Sequence, residues 1–385
     1  MAPLPPDAPI GVYLHVPFCS HICPYCDFNT YRGMDVLIPR YVAALCRDIE
    51  QSAPAVAGRT VGSVFLGGGT PSLLDGVQVR AVLDAVRAHY RLLPDAEVTL
   101  EANPNTADRE RFAAYRAAGV NRLSIGVQTA DQRGLRVLGR RHEAADAAWA
   151  LEAARDAGFE HVSADLMFGW PGQDADTWRR DLAIAASWPV DHLSLYSLIV
   201  EPGTPMADAV SRGVLLPLED DDAATLFEIA LEEMSTRGFG HYEVANWARG
   251  EVARSRHNQL YWRNGEFLGI GAGAHGSVGG IRTMRHLLPR TYIEAVEAGD
   301  AAVSNTELID ERTARGETMM LGLRLVDEGV GLATFLDRHG ESLDAVFGPT
   351  IDELVRLGMM TDDGGRVLLT PRGLMLANDV CGRFI

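Results

Sequence analysis

The 385-residue chain is poor in what several protein classes require. Its five cysteines are an odd number in a large chain, which makes no disulfide framework of the kind small secreted domains use. It has no apolar run of roughly 18 residues, so no segment reads as a membrane span. The least polar stretch, Phe267 to Gly280, is broken by His275 and crowded with glycine. The first ten residues, MAPLPPDAPI, carry neither the basic nor the apolar region of a signal peptide, and the expected address is cytoplasmic. Basic residues are in deficit, 35 against 52 acidic ones, for a net charge of −17. That balance argues against a nucleic-acid footprint and against a polybasic membrane patch. What remains is ordinary globular material. Hydrophobic residues at 47% suffice for a sizeable core, and the length suggests two domains or one large barrel with an appendage.

For two hundred residues short β-rich runs alternate with helical patterns. Strands are expected at Gly11–Val16, Ser63–Leu66, Glu97–Glu101, Arg122–Val127, Val162–Phe168 and His192–Val200. Helices are expected at about 38–52, 108–118, 131–158, 174–187 and 219–237, besides the clearest one. There Val79, Val82, Leu83, Val86 and Tyr90 make a single apolar face. Strict alternation implies parallel strands joined by right-handed crossovers. Six units are too few for a closed eight-stranded barrel, and the polar residues decide between an open barrel and a doubly wound sheet. Three cysteines follow the first strand, Gly67–Thr70 follows the second, Glu101 ends the third, Gln128 ends the fourth, and Asp165 lies in the fifth. Polar groups gathered at strand C-termini fit an α/β fold built as a partial (β/α)6 barrel of the TIM type, with its site on that face. A doubly wound sheet would place its ligand at one switch point.

After about residue 240 the alternation stops, and Ser255–Gly280 reads as irregular. From Glu307 a helix with Met319, Met320, Leu323 and Leu325 leads to others at Leu332–His339 and Ile351–Leu357. A hairpin then turns at Asp362-Asp363-Gly364-Gly365. This is a small, mainly helical, winged-helix-like domain, and with few basic residues clustered there it is expected to pack rather than to bind nucleic acid. The expected divisions are 1–240, a connecting region 241–306, and 307–385.

Cys19-Ser-His-Ile-Cys23-Pro-Tyr-Cys26 is C-x₃-C-x₂-C. Three thiolates on one short loop can hold three corners of a [4Fe–4S] cubane, leaving the fourth iron open to the amino and carboxylate groups of S-adenosylmethionine. The alternative is a zinc site completed by His21 or His15, although structural zinc more often takes paired C-x₂-C ligands. Cys46 and Cys381 read as small apolar residues without a role.

Tyr13-Leu-His15-Val-Pro-Phe-Cys19 through Cys26-Asp-Phe28, together with Gly67-Gly68-Gly69-Thr70-Pro71, resembles the radical-SAM HemN/HemW family of coproporphyrinogen oxidases and heme chaperones. The resemblance extends over essentially the whole chain. It implies a radical-SAM barrel with Cys19, Cys23 and Cys26 on the cluster and Tyr13 beside it. It also implies that the Gly68-Gly69-Thr70 backbone meets the methionine amino group, and that Glu101, Gln128, Arg140, Asp165 and Ile199 contact the rest of S-adenosylmethionine. The chemistry suits these roles, since an acid can hold ribose hydroxyls and Arg140 can pair with the carboxylate.

Two departures point within the family. The oxidases extend the motif with a fourth cysteine where this chain has Phe28, and they carry a long segment before the cluster where this chain has 18 residues before Cys19. Both resemble the heme-chaperone branch. So does Arg256-His257-Asn258-Gln-Leu-Tyr261-Trp262, which is similar to the H-N-x-x-Y-W motif associated with heme there. His257, Asn258, Tyr261 and Trp262 are therefore expected at heme. An imidazole can ligate iron, and the aromatic rings offer flat apolar area. On the residues alone a packed aromatic corner with a hydrogen-bonded histidine serves as well, and His275 is an alternative ligand. The expected partners are heme and client hemoproteins of the respiratory kind, and the resemblance allows a homodimer and a peripheral membrane contact. Coproporphyrinogen III oxidation is the competing activity. One apparent motif is set aside: Gly271-Ala-Gly273-Ala-His-Gly276 matches G-x-G-x-x-G, but the Ser-Val-Gly-Gly after it is no helix start.

Overall fold

The computed structural model describes residues 8–106 and 108–385; the reading of the first ten residues falls mostly outside them. Six parallel strands form its centre: β1 (Ile10–Val16), β2 (Thr60–Gly68), β3 (Arg91–Ala102), β4 (Arg122–Gln128), β5 (His161–Phe168) and β6 (His192–Ser197). They lie side by side in chain order, each parallel to the next. Every crossover therefore advances in one direction and no switch point arises, which is the winding of a barrel and not of a doubly wound sheet. The partial (β/α)6 barrel expected from the alternation is what forms.

The helices between the strands follow from their sequence. In Gly76–His89, Asp75 accepts the Gln78 N–H while the Gln78 side chain accepts the Asp75 N–H, a reciprocal cap that contributes about 1 kcal/mol. Val79, Val82, Leu83 and Val86 are all buried against the sheet. The expected helix over 131–158 is two, Gln132–Val137 and Ala144–Asp156. Between them Gly139 takes φ +63, a left-handed turn that ends the first helix and sets Arg140 loose to face inward.

The sheet does not stop at six strands. β7 (Gly240–Glu243) and β8 (Asn246–Ala248) add antiparallel to β6. At the other edge β9 (Phe267–Ile270) pairs parallel to β1, followed by antiparallel β10 (His275–Val278), β11 (Ile281–Arg285) and β12 (Val303–Leu308). The expectation that Ser255–Gly280 is irregular is thus corrected: it holds the helix Arg256–Trp262 and two strands. Its strands are only four residues long and rich in glycine, so no alternation shows in the sequence. Glycine is needed there because strands approach closely. A Cβ on Gly269 would lie 1.8 Å from the His275 carbonyl oxygen.

This edge is tied to the core by a buried ion pair. Arg285 on β11 donates to Asp48 at 3.1 and 2.9 Å, and Tyr292 donates to the same carboxylate at 2.9 Å. A second core, with Met319, Phe335, Ile351 and Phe384, lies in the C-terminal segment. Its helices Glu311–Gly322, Leu332–His339 and Leu343–Arg356 pack with a three-stranded sheet of β13 (Val330–Gly331), β14 (Met360–Asp362) and β15 (Arg366–Leu369), giving the winged-helix-like arrangement. No helix among the described residues is long and apolar enough to cross a membrane.

Candidate functional site

Beyond the C-terminal ends of β1–β6 lies a cavity of about 360 Å³. Its walls bring together eleven of the residues expected to serve a cofactor: Cys19, Cys23, Cys26, Gly68, Gly69, Thr70, Glu101, Gln128, Arg140, Asp165 and Ile199.

The cysteine loop leaves β1 and closes on itself. Tyr31 N–H donates to Pro17 at 2.7 Å and Cys19 N–H to Tyr31 at 3.0 Å, while Cys26 N–H donates to Cys23 at 3.1 Å. The Asn29 amide pins the loop from outside by donating to the Ala272 and Leu287 carbonyls, both at 3.0 Å. The glycines that mimic a dinucleotide fingerprint have their use here. A Cβ on Gly273 would lie 2.3 Å from Asn29 Nδ2, and one on Gly271 would lie 2.6 Å from the His15 oxygen. The loop reaches β2 as tightly. A Cβ on Gly69 would meet Phe18 O at 2.7 Å and Cys19 Sγ at 3.0 Å. Cys19 Sγ sits 3.4 Å from Thr70 Oγ1, and Arg140 Nη1 lies 3.5 Å from Cys23 Sγ. Burial pushes the Cys19 and Cys26 thiols up; bound iron would reverse that, since coordination deprotonates a thiol outright.

Two acids line the same cavity as the thiols. Glu101 accepts the Gly68 N–H at 3.1 Å, and burial, with the Asp165 charge adding to it, raises Glu101 to about 8. Asp165 accepts from Ser124 at 2.9 and 3.0 Å and from Ser163 at 3.1 Å; burial raises it too, against the pull of those hydroxyls. Gln128 has φ +74, a left-handed backbone at a non-glycine residue, where the β4–β5 register slips by one. Such strain clusters at functional sites. Arg140 is held by the Gly126 carbonyl at 2.8 Å and by the Asn103 side chain, whose amide also donates to Thr70 at 3.2 Å. Asn103 and Ser124 were missed from sequence. Asn103 lies two residues beyond Glu101, and that period of two was the available signal.

The structure sets Tyr13 apart from this group. It lines a second cavity, of about 680 Å³, which shares Phe28, Gly68 and Glu101 with the first. His15 Nε2 is 3.0 Å from the Asn29 carbonyl, which can only accept, so Nδ1 is the acceptor for the Tyr13 hydroxyl at 2.9 Å. A fourth zinc ligand from His15 is therefore engaged elsewhere.

Of the H-N-x-x-Y-W residues, only Tyr261 lines either cavity. Ser255 caps the helix Arg256–Trp262, and the Glu97 carboxylate accepts the Arg256 and His257 N–H groups at 3.1 and 3.0 Å. His257 is fully buried, with Nδ1 2.8 Å from Ser63 Oγ, Nε2 2.8 Å from the Tyr261 hydroxyl, and its ring stacked on Phe65. Burial lowers it to about 3. Trp262 packs under the Arg324 guanidinium, 5.5 Å from its ring centre. Asn258 spends its N–H on the Ser255 cap.

A Radical SAM superfamily model matches residues 13–184, and a HemN C-terminal domain model matches residues 309–376. A Mycobacterium tuberculosis protein named heme chaperone HemW is 40% identical over 385 residues, covering 99% of this chain and 95% of that one. The chain belongs to the HemW-type branch of the radical-SAM HemN/HemW family. A Bacillus subtilis protein of the same name is 35% identical over 97% of this chain and 99% of its own. Among solved structures, coproporphyrinogen III oxidase (HemN) from Escherichia coli, a radical-SAM enzyme, superposes with a TM-score of 0.84 over 98% of this chain and 90% of that chain. At 22% identity this is a likeness of fold.

Membership in the radical-SAM superfamily implies a [4Fe–4S] cluster and S-adenosylmethionine. The donor set fits. Three thiols share one short loop and one cavity wall, and the Arg140 cation stands beside one of them. Among the described residues no three His, Cys, Asp or Glu are grouped to hold a single metal ion. A cubane needs no such convergence, because each thiolate takes a different iron.

Proposed function

We propose that this protein binds heme and passes it to client hemoproteins, while carrying a [4Fe–4S] cluster on Cys19, Cys23 and Cys26 with S-adenosylmethionine beside it. The observation that carries the reading is near-full-length similarity to proteins named heme chaperone HemW. Phe28, in place of a fourth cysteine and 67% exposed between the two cavities, supports it against the oxidase alternative.

When bound, the cluster supplies an iron without a protein ligand for the amino and carboxylate groups of S-adenosylmethionine, and the electron that can cleave its sulfonium. The chain's own residues do the rest. Gly68, Gly69 and Thr70 offer close backbone to the methionine end. Arg140 meets the carboxylate, and Glu101, Gln128 and Asp165 supply the polar contacts. Ile199, exposed at the rim, covers the apolar part. In this reading residues 1–240 carry cluster and S-adenosylmethionine, while 241–306 and 307–385 supply the edge strands and the helix that wall the second cavity. Clients of the respiratory kind follow from the family resemblance.

The test is anaerobic reconstitution with iron and sulfide, followed by heme titration and, separately, incubation with coproporphyrinogen III, S-adenosylmethionine and a reductant. Saturable heme uptake without formation of protoporphyrinogen is expected. Turnover of coproporphyrinogen with no specific heme binding would replace this reading by the oxidase.

A further inference from the structure

The second cavity lies between the β9–β11 edge of the sheet and the helix Glu311–Gly322, which contributes Glu317, Met320 and Leu321. Its other walls include Tyr13, Tyr261, Phe267 and Leu287. At about 680 Å³ it is in the range of small-molecule sites, and its lining is mostly apolar and aromatic. Arg282 is the one arginine in the wall, and it is already engaged by Glu307 at 3.1 Å and Glu317 at 2.5 Å. A flat apolar disc finds area there.

A metallated disc also needs a ligand with a free lone pair. Two histidines line this cavity, His15 and His275. Both nitrogens of His15 are taken, by Tyr13 and by the Asn29 carbonyl. His257 lies behind the wall with both nitrogens taken, by Ser63 and Tyr261. His275 is exposed to the cavity, and its ring makes no hydrogen bond or ion pair among the described residues. The strand geometry aims it. Residues two apart on β10 share a face, so His275 and Ser277 point together, and Ser277 stands opposite Phe267 on β9 and Arg282 on β11. All four line the cavity. The backbone beneath His275 is fixed, since a Cβ on Gly269 would overlap His275 O at 1.8 Å and one on Gly276 would meet Gly269 N at 2.7 Å.

We infer that His275 is the iron ligand of a tetrapyrrole seated in the second cavity, and that the H-N-x-x-Y-W segment contributes the Tyr261 wall instead of the ligand. This rests on the reading that the protein carries heme. An imidazole held on a rigid strand with no other partner is a pre-organised iron ligand. His257 acts through Tyr261, whose hydroxyl it holds.

The experiment titrates hemin into anaerobically reconstituted full-length protein, comparing wild type with His275→Ala and His257→Ala by absorption and electron paramagnetic resonance. Iron content and circular dichroism confirm that each variant is folded and loaded. In His275→Ala heme affinity is expected to fall by about tenfold or more. The spectrum of the imidazole-ligated ferric heme disappears and is restored by added imidazole. Wild-type spectrum and affinity in His275→Ala, with heme still bound, would overturn the assignment and leave the heme-carrier reading standing. So would a loss in His257→Ala that imidazole restores, which moves the ligand to His257. No heme uptake by wild type would overturn the carrier reading, and this inference with it.

Discussion

Glu101 is a residue whose charge is at odds with the fold. Burial, with Asp165 adding repulsion, moves its carboxyl from 4.5 to about 8. The unfolded chain releases that proton near pH 4.5, while the folded protein keeps it to about 8, so between those values the native state binds more protons. Stability then falls as pH rises across the window, with the favourable share present below pH 4.5 and the full penalty reached above about 8. The displacement corresponds to about 4–5 kcal/mol for a sealed carboxyl. The side chain lines both cavities, and water reaching it through them brings the expected cost nearer 2–4 kcal/mol. Glu101→Gln removes the titration while keeping an acceptor for the Gly68 N–H. Urea unfolding of protein free of cluster and S-adenosylmethionine at pH 5, 7 and 8.5 reads the effect. Wild type loses stability across the series and the variant loses less, so that the variant is the more stable at pH 8.5. Parallel pH profiles for the two proteins would refute the reasoning. A cofactor-side acid that costs stability is the pattern expected where function opposes the fold.

Other predictions follow from single contacts. Gly69→Ala drives a methyl against Phe18 O and Cys19 Sγ; far-ultraviolet circular dichroism is unchanged, while iron and sulfide retained after reconstitution fall severalfold. Asp48→Ala strands Arg285 in the interior and costs about 3–5 kcal/mol in urea unfolding, whereas a surface pair such as Arg87–Asp84 costs less than about 1 kcal/mol. His257→Ala empties a buried site and orphans Ser63 and Tyr261, lowering stability by about 3 kcal/mol at pH 7. Because His257 stays neutral down to about pH 3 in the fold while the unfolded imidazole takes up a proton below about 6.5, wild type loses stability as pH falls through that window and the gap to the variant narrows by about 2 kcal/mol at pH 5, which a thermal melt at the two pH values checks.

How far the sequence was legible depended on how local each signal is. The cysteine loop and Gly67–Thr70 were readable because their chemistry lies in contiguous residues at strand ends. The βα alternation was readable because each helix, such as Gly76–His89, carries its own cap and face. The register that brings Glu101, Gln128 and Asp165 to one cavity was readable only through the position of Glu101 and Gln128 at strand ends and of Asp165 within the fifth strand. The H-N-x-x-Y-W segment was not legible in the same way. Four residues on one short helix face different sides, and only packing against β1 and β2 decides that His257 turns inward while Tyr261 reaches the cavity. Short glycine-rich strands hid the β9–β11 edge, because the cause of those glycines is contact with Asn29, His15 and His275 far away in sequence or across a strand. In the C-terminal unit, Pro349 inside the helix Leu343–Arg356 concealed its first two turns.

The central claim is carriage and delivery of heme, and one measurement addresses it directly. Reconstituted protein loaded with heme, freed of excess, is mixed anaerobically with an apo-cytochrome b as acceptor and the two are separated by size. Heme absorbance moving to the acceptor, with the characteristic spectrum of the assembled cytochrome, is the predicted result. Heme that stays on this protein at every acceptor concentration, or that leaves no faster than it does from serum albumin, would contradict the account.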